Sequence, residues 1–149
     1  MRRRHALLTT LALALVPAAL ARPARPQGMA PTIDAPAAKG LADSGAGVLV
    51  DVRTPKELRE NGRVPGAVHI PLQGDDMTFN PDFIKQLLEA AGGDRNRPIA
   101  LLCASGRRSA HAARVLGGQG FGQVFSVGEG IYGSNLGPGW VARGLPIER

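Results

Sequence analysis

Three short runs, "VLVDV" (48–52), "PIALLC" (98–103) and "VFSV" (124–127), are apolar almost without interruption, the pattern of strands buried on both faces of a parallel sheet. "AVHI" (67–70) is a fourth, shorter strand closed by Pro71. Between them the period changes to that of a helix. In "NPDFIKQLLEAAGG" (80–93) Asn80 can cap, Pro81 opens, and Phe83, Ile84, Leu87, Leu88 and Ala91 share one face, with Gly92-Gly93 as a left-handed stop. Ser109 to Leu116 forms a second helix with Ala112, Val115 and Leu116 inward, stopped by Gly117-Gly118. "TPKE" (54–57) puts Thr54 at an N-cap, Pro55 at N1 and Glu57 at N3, a capping box that starts a short helix through Arg59. Strands alternating with helices predict an α/β domain: a doubly wound sheet of mostly parallel strands with helices on both faces. No internal repeat is present. In such sheets ligands bind outside the carboxyl ends of the strands, where Asp51 and Cys103 stand.

The amino-terminal pattern is different in kind. Residues 1–21, "MRRRHALLTTLALALVPAALA", have a basic start, an apolar stretch and a small-residue ending, the layout of a secretory signal peptide with cleavage after Ala21. Arg3-Arg4 followed by Leu7-Leu8 loosely matches a twin-arginine signal, though Ala6 replaces a bulkier apolar residue. A mitochondrial transit peptide is the rival, but the apolar run is too continuous to be amphipathic. The expected product is an exported, periplasmic protein with no stable membrane insertion after cleavage. "RPARPQGMAP" (22–31) reads as a flexible linker, leaving 32–149 as the single folded domain. The 149 residues suit one domain plus a targeting segment. Of the formal +6 charge, Arg2, Arg3 and Arg4 supply three, and no basic run with interleaved aromatics occurs in the body, so nucleic acid is not an expected partner.

An exported chain with a single cysteine poses a chemical question, because a thiol without an intramolecular partner is either inert core or a reactive group. Cys103 ends a strand and leads into Ala104, Ser105, Gly106, Arg107, Arg108 and Ser109. A loop curling from strand to helix turns successive backbone N–H groups inward and makes a concave anion site, with Gly106 permitting the turn. Such donors stabilise a thiolate, and a thiolate in an anion cradle is an activated nucleophile. Arg107 and Arg108 add positive charge suited to an anionic substrate.

The segment C-A-S-G-R-R-S (103–109) resembles the active-site loop of rhodanese-type sulfurtransferases. The resemblance extends over "VLVDVRTPKELRENGRVPGAVHIPL" (48–72) and ends with "ARGLPI" (142–147) after Trp140, covering residues 32–147; an exported single-domain member, like the periplasmic phage-shock sulfurtransferases, is most similar. It implies the rhodanese-like fold and a persulfide mechanism. Cys103 takes sulfane sulfur from thiosulfate or a related donor and passes it to a thiophilic acceptor such as cyanide or a thiol. It implies no metal and no organic cofactor. Two alternatives stand beside this: a persulfide carrier or binding module fed by a protein partner in a sulfur relay, and a rhodanese-fold phosphatase or arsenate reductase. The last group resembles this architecture but has a longer loop, whereas here only four residues separate Cys103 from Arg108.

Several residues also have plainer roles open to them. Arg107 is the better candidate to face an anion, while Arg108 either contacts substrate or braces the loop by an ion pair with Asp51 or Glu129. Ser109 is read as the N-cap of the following helix with its hydroxyl near the sulfur. Asp51 and Arg53 match the family's D-x-R and are expected to support the sheet end by hydrogen bonds. Glu57 is accounted for by the capping box. His69 and His111 are structural or exposed, without metal spacing to Cys103. Arg63 stands where the family often has His. "EGIYGSNLGPGW" (129–140) is longer than the family's usual connection, and Tyr132 and Asn135 within it are expected to shape the acceptor site.

Overall fold

The computed structural model describes residues 30–149. The signal segment, its cleavage point and residues 22–29 of the linker lie outside the described residues. Pro31, at the linker's end, already accepts a sheet hydrogen bond from the Ser126 N–H at 2.8 Å.

The elements run β1 (Thr32–Ile33), α1 (Ala35–Asp43), β2 (Val48–Asp51), α2 (Pro55–Asn61), β3 (Val68–His69), α3 (Phe83–Ala90), β4 (Ile99–Leu102), α4 (Arg107–Gly118) and β5 (Val124–Val127). The strands form one sheet in the order β1-β5-β4-β2-β3, and every pairing is parallel. The central strands β2 and β4 are buried at all positions, which is why they read as unbroken apolar runs. Alternate residues feed two cores. Val48, Val50, Val52, Ile99, Leu101 and Cys103 face α3 and α4, which contribute Phe83, Leu87, Ala112, Ala113 and Leu116. Leu49, Ala100 and Leu102 face the other side, covered by Ala35 and Ala38 of α1 and by Trp140. This is the expected doubly wound α/β domain with helices on both faces.

Four details depart from the sequence reading. β1 and α1 were not anticipated. α3 begins at Phe83 because Asn80 Oδ1 accepts the Asp82 N–H at 3.1 Å, closing a turn ahead of the helix instead of capping it. α4 begins two residues earlier than expected and runs through both Gly117 and Gly118, and Val115 lies on its outer face, 41 % exposed. α2 continues to Asn61, two residues past Arg59, on the expected capping box.

Candidate active site

β2 and β4 end side by side, with Asp51 opposite Leu102 and the Val52 N–H bonded to the Leu102 carbonyl at 2.9 Å. Chain geometry thus brings Asp51, Arg53 and the 103–109 loop to one end of the sheet. Gly106 is the N-cap of α4 at φ +82°, a left-handed turn that folds the loop back on itself. The turn aims the Gly106 N–H at Cys103 Sγ at 3.2 Å and the Ser109 N–H at 3.5 Å. The N–H groups of Ala104, Ser105, Arg107 and Arg108 take no acceptor among the described residues. The helix start adds its partial positive charge at the same place. The sulfur therefore sits under two backbone donors at the start of α4.

Cys103 is fully buried. Its thiol donates to Ser109 Oγ at 3.5 Å, and that hydroxyl bonds the Gly106 carbonyl at 3.0 Å and the Ser126 hydroxyl at 2.8 Å. Ser109 is not an N-cap, because the cap falls at Gly106; it sits at N3, turned inward beside the sulfur as expected of its hydroxyl. Ser126, in the middle of β5 and fully buried, escaped the sequence reading. Its signal was a polar residue inside a buried run, where a hydroxyl must find a partner.

The two arginines separate. Arg107 is exposed. Arg108 braces the loop, but neither Asp51 nor Glu129 is its partner: its Nη1 and Nη2 donate to Glu57 Oε2 and Oε1 at 2.7 and 2.6 Å, a bidentate pair. Glu57 also completes the capping box, receiving the Thr54 N–H at 2.9 Å. Partial burial pushes the Glu57 carboxyl up, but the Arg108 and Thr54 bonds outweigh it and hold it at about 2. Arg108 is correspondingly raised, first by Glu57 and in smaller part by the negative charge available at Cys103.

Asp51 and Arg53 form the buried support expected of them. Arg53 donates to the Asp51 carboxylate through its N–H, Nε and Nη2 at 2.7–3.0 Å and to the Gly62 carbonyl at 3.0 Å. Its Nη1 is the buried side-chain nitrogen left without a partner among the described residues. His69 Nε2 bonds the Arg53 carbonyl at 2.8 Å, and His111 is exposed on α4. Arg63 pairs through its backbone with Glu148. No group of three or more His, Cys, Asp or Glu able to hold a metal occurs among the described residues. A cavity of about 600 Å³ beside β3 and α3 and one of about 200 Å³ between Asp51 and Glu148 both lie off the loop: residues 103–109 line neither.

The 129–140 connection lies directly on the loop. The Ile131 N–H bonds the Cys103 carbonyl at 2.9 Å and the Tyr132 N–H bonds the Ala104 carbonyl at 3.0 Å, while the side chains of Tyr132 and Asn135 are exposed.

A family model described as a rhodanese-like domain matches residues 34–134. The chain is 38 % identical over 94 residues to thiosulfate sulfurtransferase GlpE of Pseudomonas syringae, covering 63 % of this chain and 76 % of that one. It is 33 % identical over 107 residues to a sulfurtransferase of Allochromatium vinosum, covering 72 % and 83 %. The crystal structure of Rv0390 from M. tuberculosis superposes with a TM-score of 0.66 at 32 % identity, over 80 % of this chain and 97 % of that one.

Proposed function

The chain belongs to the rhodanese-like domain family, and from that premise we propose that it is a sulfurtransferase carrying sulfane sulfur on Cys103. The thiolate attacks the outer sulfur of thiosulfate. A new S–S bond forms on Cys103 as the bond to the sulfonate sulfur breaks, and sulfite leaves with the electron pair. Cyanide or a thiolate then attacks the outer persulfide sulfur, departs with it, and returns Cys103 as thiolate, so the cycle is covalent and ping-pong. The chemistry calls on no metal or organic cofactor.

The observation that carries this reading is the pair of backbone donors on Sγ, in a loop whose four other N–H groups take no acceptor among the described residues. Those four can hold the outer sulfur of a persulfide or the oxygens of the incoming donor, with Arg107 at the surface to attract the anion. The bidentate lock of Arg108 on Glu57 also argues against phosphate or arsenate chemistry. A phosphate loop needs its arginine free to fork onto the oxyanion, and here the fork is occupied.

Intact mass spectrometry tests the cycle. Wild type is expected to gain the mass of one sulfur with thiosulfate and lose it with cyanide, while Cys103→Ser does neither. A wild-type chain that takes no sulfur from thiosulfate but accepts it from a persulfidated protein would instead identify a partner-fed carrier. A chain that accepts it from neither would end the reading.

A further inference from the structure

The segment after β5 carries a buried carboxylate that takes no part in this chemistry. Glu129 is 1 % exposed. Its Oε1 accepts from the Ala35 N–H at 2.7 Å and from Arg143 Nε at 2.8 Å. Its Oε2 accepts from the Gly139 N–H at 2.9 Å and from the same Arg143 Nε at 2.9 Å. These donors come from three separate places: the start of α1, the far end of the 129–140 connection, and the chain beyond Trp140. A buried charge is tolerated only when its acceptor sites are filled in this way, and it then fixes the backbone that carries it.

The backbone that Glu129 fixes is the one pressed on the catalytic loop. On one side, Gly128 turns its carbonyl against Gly106 so closely that a Cβ on Gly106 would collide with it. On the other, Gly130 packs on the Ala104–Ser105 peptide, where a Cβ would lie 2.5 Å from the Ala104 oxygen. The next two residues then bond the carbonyls of Cys103 and Ala104. Residues 128–132 thus form a strap across 103–106, and the carboxylate is its anchor.

We infer that Glu129 is a positioning residue for sulfur transfer: by pinning the strap to α1, Gly139 and Arg143, it holds the Gly106 N–H on Cys103 Sγ. The inference rests on the sulfurtransferase reading for its kinetic consequence, but its structural consequence is independent of substrate. Glu129→Gln keeps the shape and sets an NH₂ group against surroundings that are all donors. Persulfide formation from thiosulfate should slow about tenfold with little change in KM, because a misplaced donor costs rate more than binding. The exchange of the Ile131 and Tyr132 amides should quicken about tenfold, while those of Val50 and Leu101 in the sheet hold steady.

A folded Glu129→Gln with wild-type rate and wild-type exchange at Ile131 and Tyr132 would overturn the inference. So would faster exchange spread uniformly over the sheet, which marks a general loss of stability. Should Glu129→Gln not fold, Arg143→Leu removes the partly exposed partner alone, and the same two readouts are expected to move in the same directions by a smaller factor. If wild type forms no persulfide, the sulfurtransferase reading fails by itself, and the amide exchange still decides whether Glu129 anchors the strap.

Discussion

A side chain at Gly106 would meet the Gly128 carbonyl, and its φ of +82° is one that L-residues adopt only under strain. Gly106→Ala should therefore both destabilise the fold, by about 1–3 kcal/mol, and move the N–H that faces the sulfur, slowing persulfide formation by about a hundredfold. Urea unfolding and single-turnover kinetics read the two effects separately; a full rate in the variant would show that this donor is dispensable. The Glu57–Arg108 pair makes a prediction in pH. The folded-state carboxyl titrates at about 2 against an ordinary 4.5. Between those values the unfolded chain binds more protons than the folded one, so stability rises with pH across the window. The pair's contribution is whole above about 4.5 and is lost as pH falls toward about 2. Glu57→Gln should be less stable at neutral pH and decline less steeply through that window, with a residual slope from Asp75 and Glu129, whose carboxyls are also lowered. Equal slopes in denaturation curves would show that Arg108 gains nothing from this partner. The sequence exposed Glu57 as a capping residue and stopped there, because spacing along one helix accounts for one hydrogen bond. A carboxylate has room for several, and the second set arrives from a residue fifty-one positions away that no local pattern brings near.

Strands β2, β4 and β5 and the capping box of α2 were legible because burial on both faces and reciprocal capping leave marks within a few residues. α1 left a fainter mark. Its buried face consists of Ala35 and Ala38, small residues with little apolar contrast, and Gly40 interrupts the run. The sign it did carry was Asp34, whose side chain accepts the Ala37 N–H at 2.8 Å ahead of Pro36. Asp34→Ala should cost about 1 kcal/mol in urea unfolding; no change would mean that packing on the sheet alone holds the helix. The 129–140 connection was recognised as an unusual length, but a length does not reveal where a segment lies. The structure shows that its backbone supports the loop while Tyr132 and Asn135 project outward. Deleting 132–137 would therefore confound two roles by removing the Tyr132 N–H bond to Ala104. Tyr132→Ala and Asn135→Ala keep the backbone, and if these side chains shape the acceptor site, the ratio of cyanide to thiol turnover shifts while persulfide formation does not. An unchanged ratio in both would remove them from the acceptor site.

Taken as a whole, the molecule sets its one thiol at the end of the core beneath α3 and α4 and covers it completely. That placement matters most if the chain works where the sequence directs it, in an oxidising compartment in which an exposed single cysteine would pair between molecules. Burial beneath the loop blocks the close approach of two sulfurs that a disulfide requires. We propose export on the pattern of residues 1–21 and expect both consequences together. Expressed in full in a bacterium, the chain should be recovered from the periplasm beginning at Arg22, monomeric on a non-reducing gel, with Cys103 as thiol or persulfide by mass. Gly106→Ala, by displacing the loop, should raise the disulfide-linked fraction in the same fraction of cells. Full-length protein retained in the cytoplasm would remove the export reading. Disulfide-linked wild type would show that the loop does not shield the sulfur.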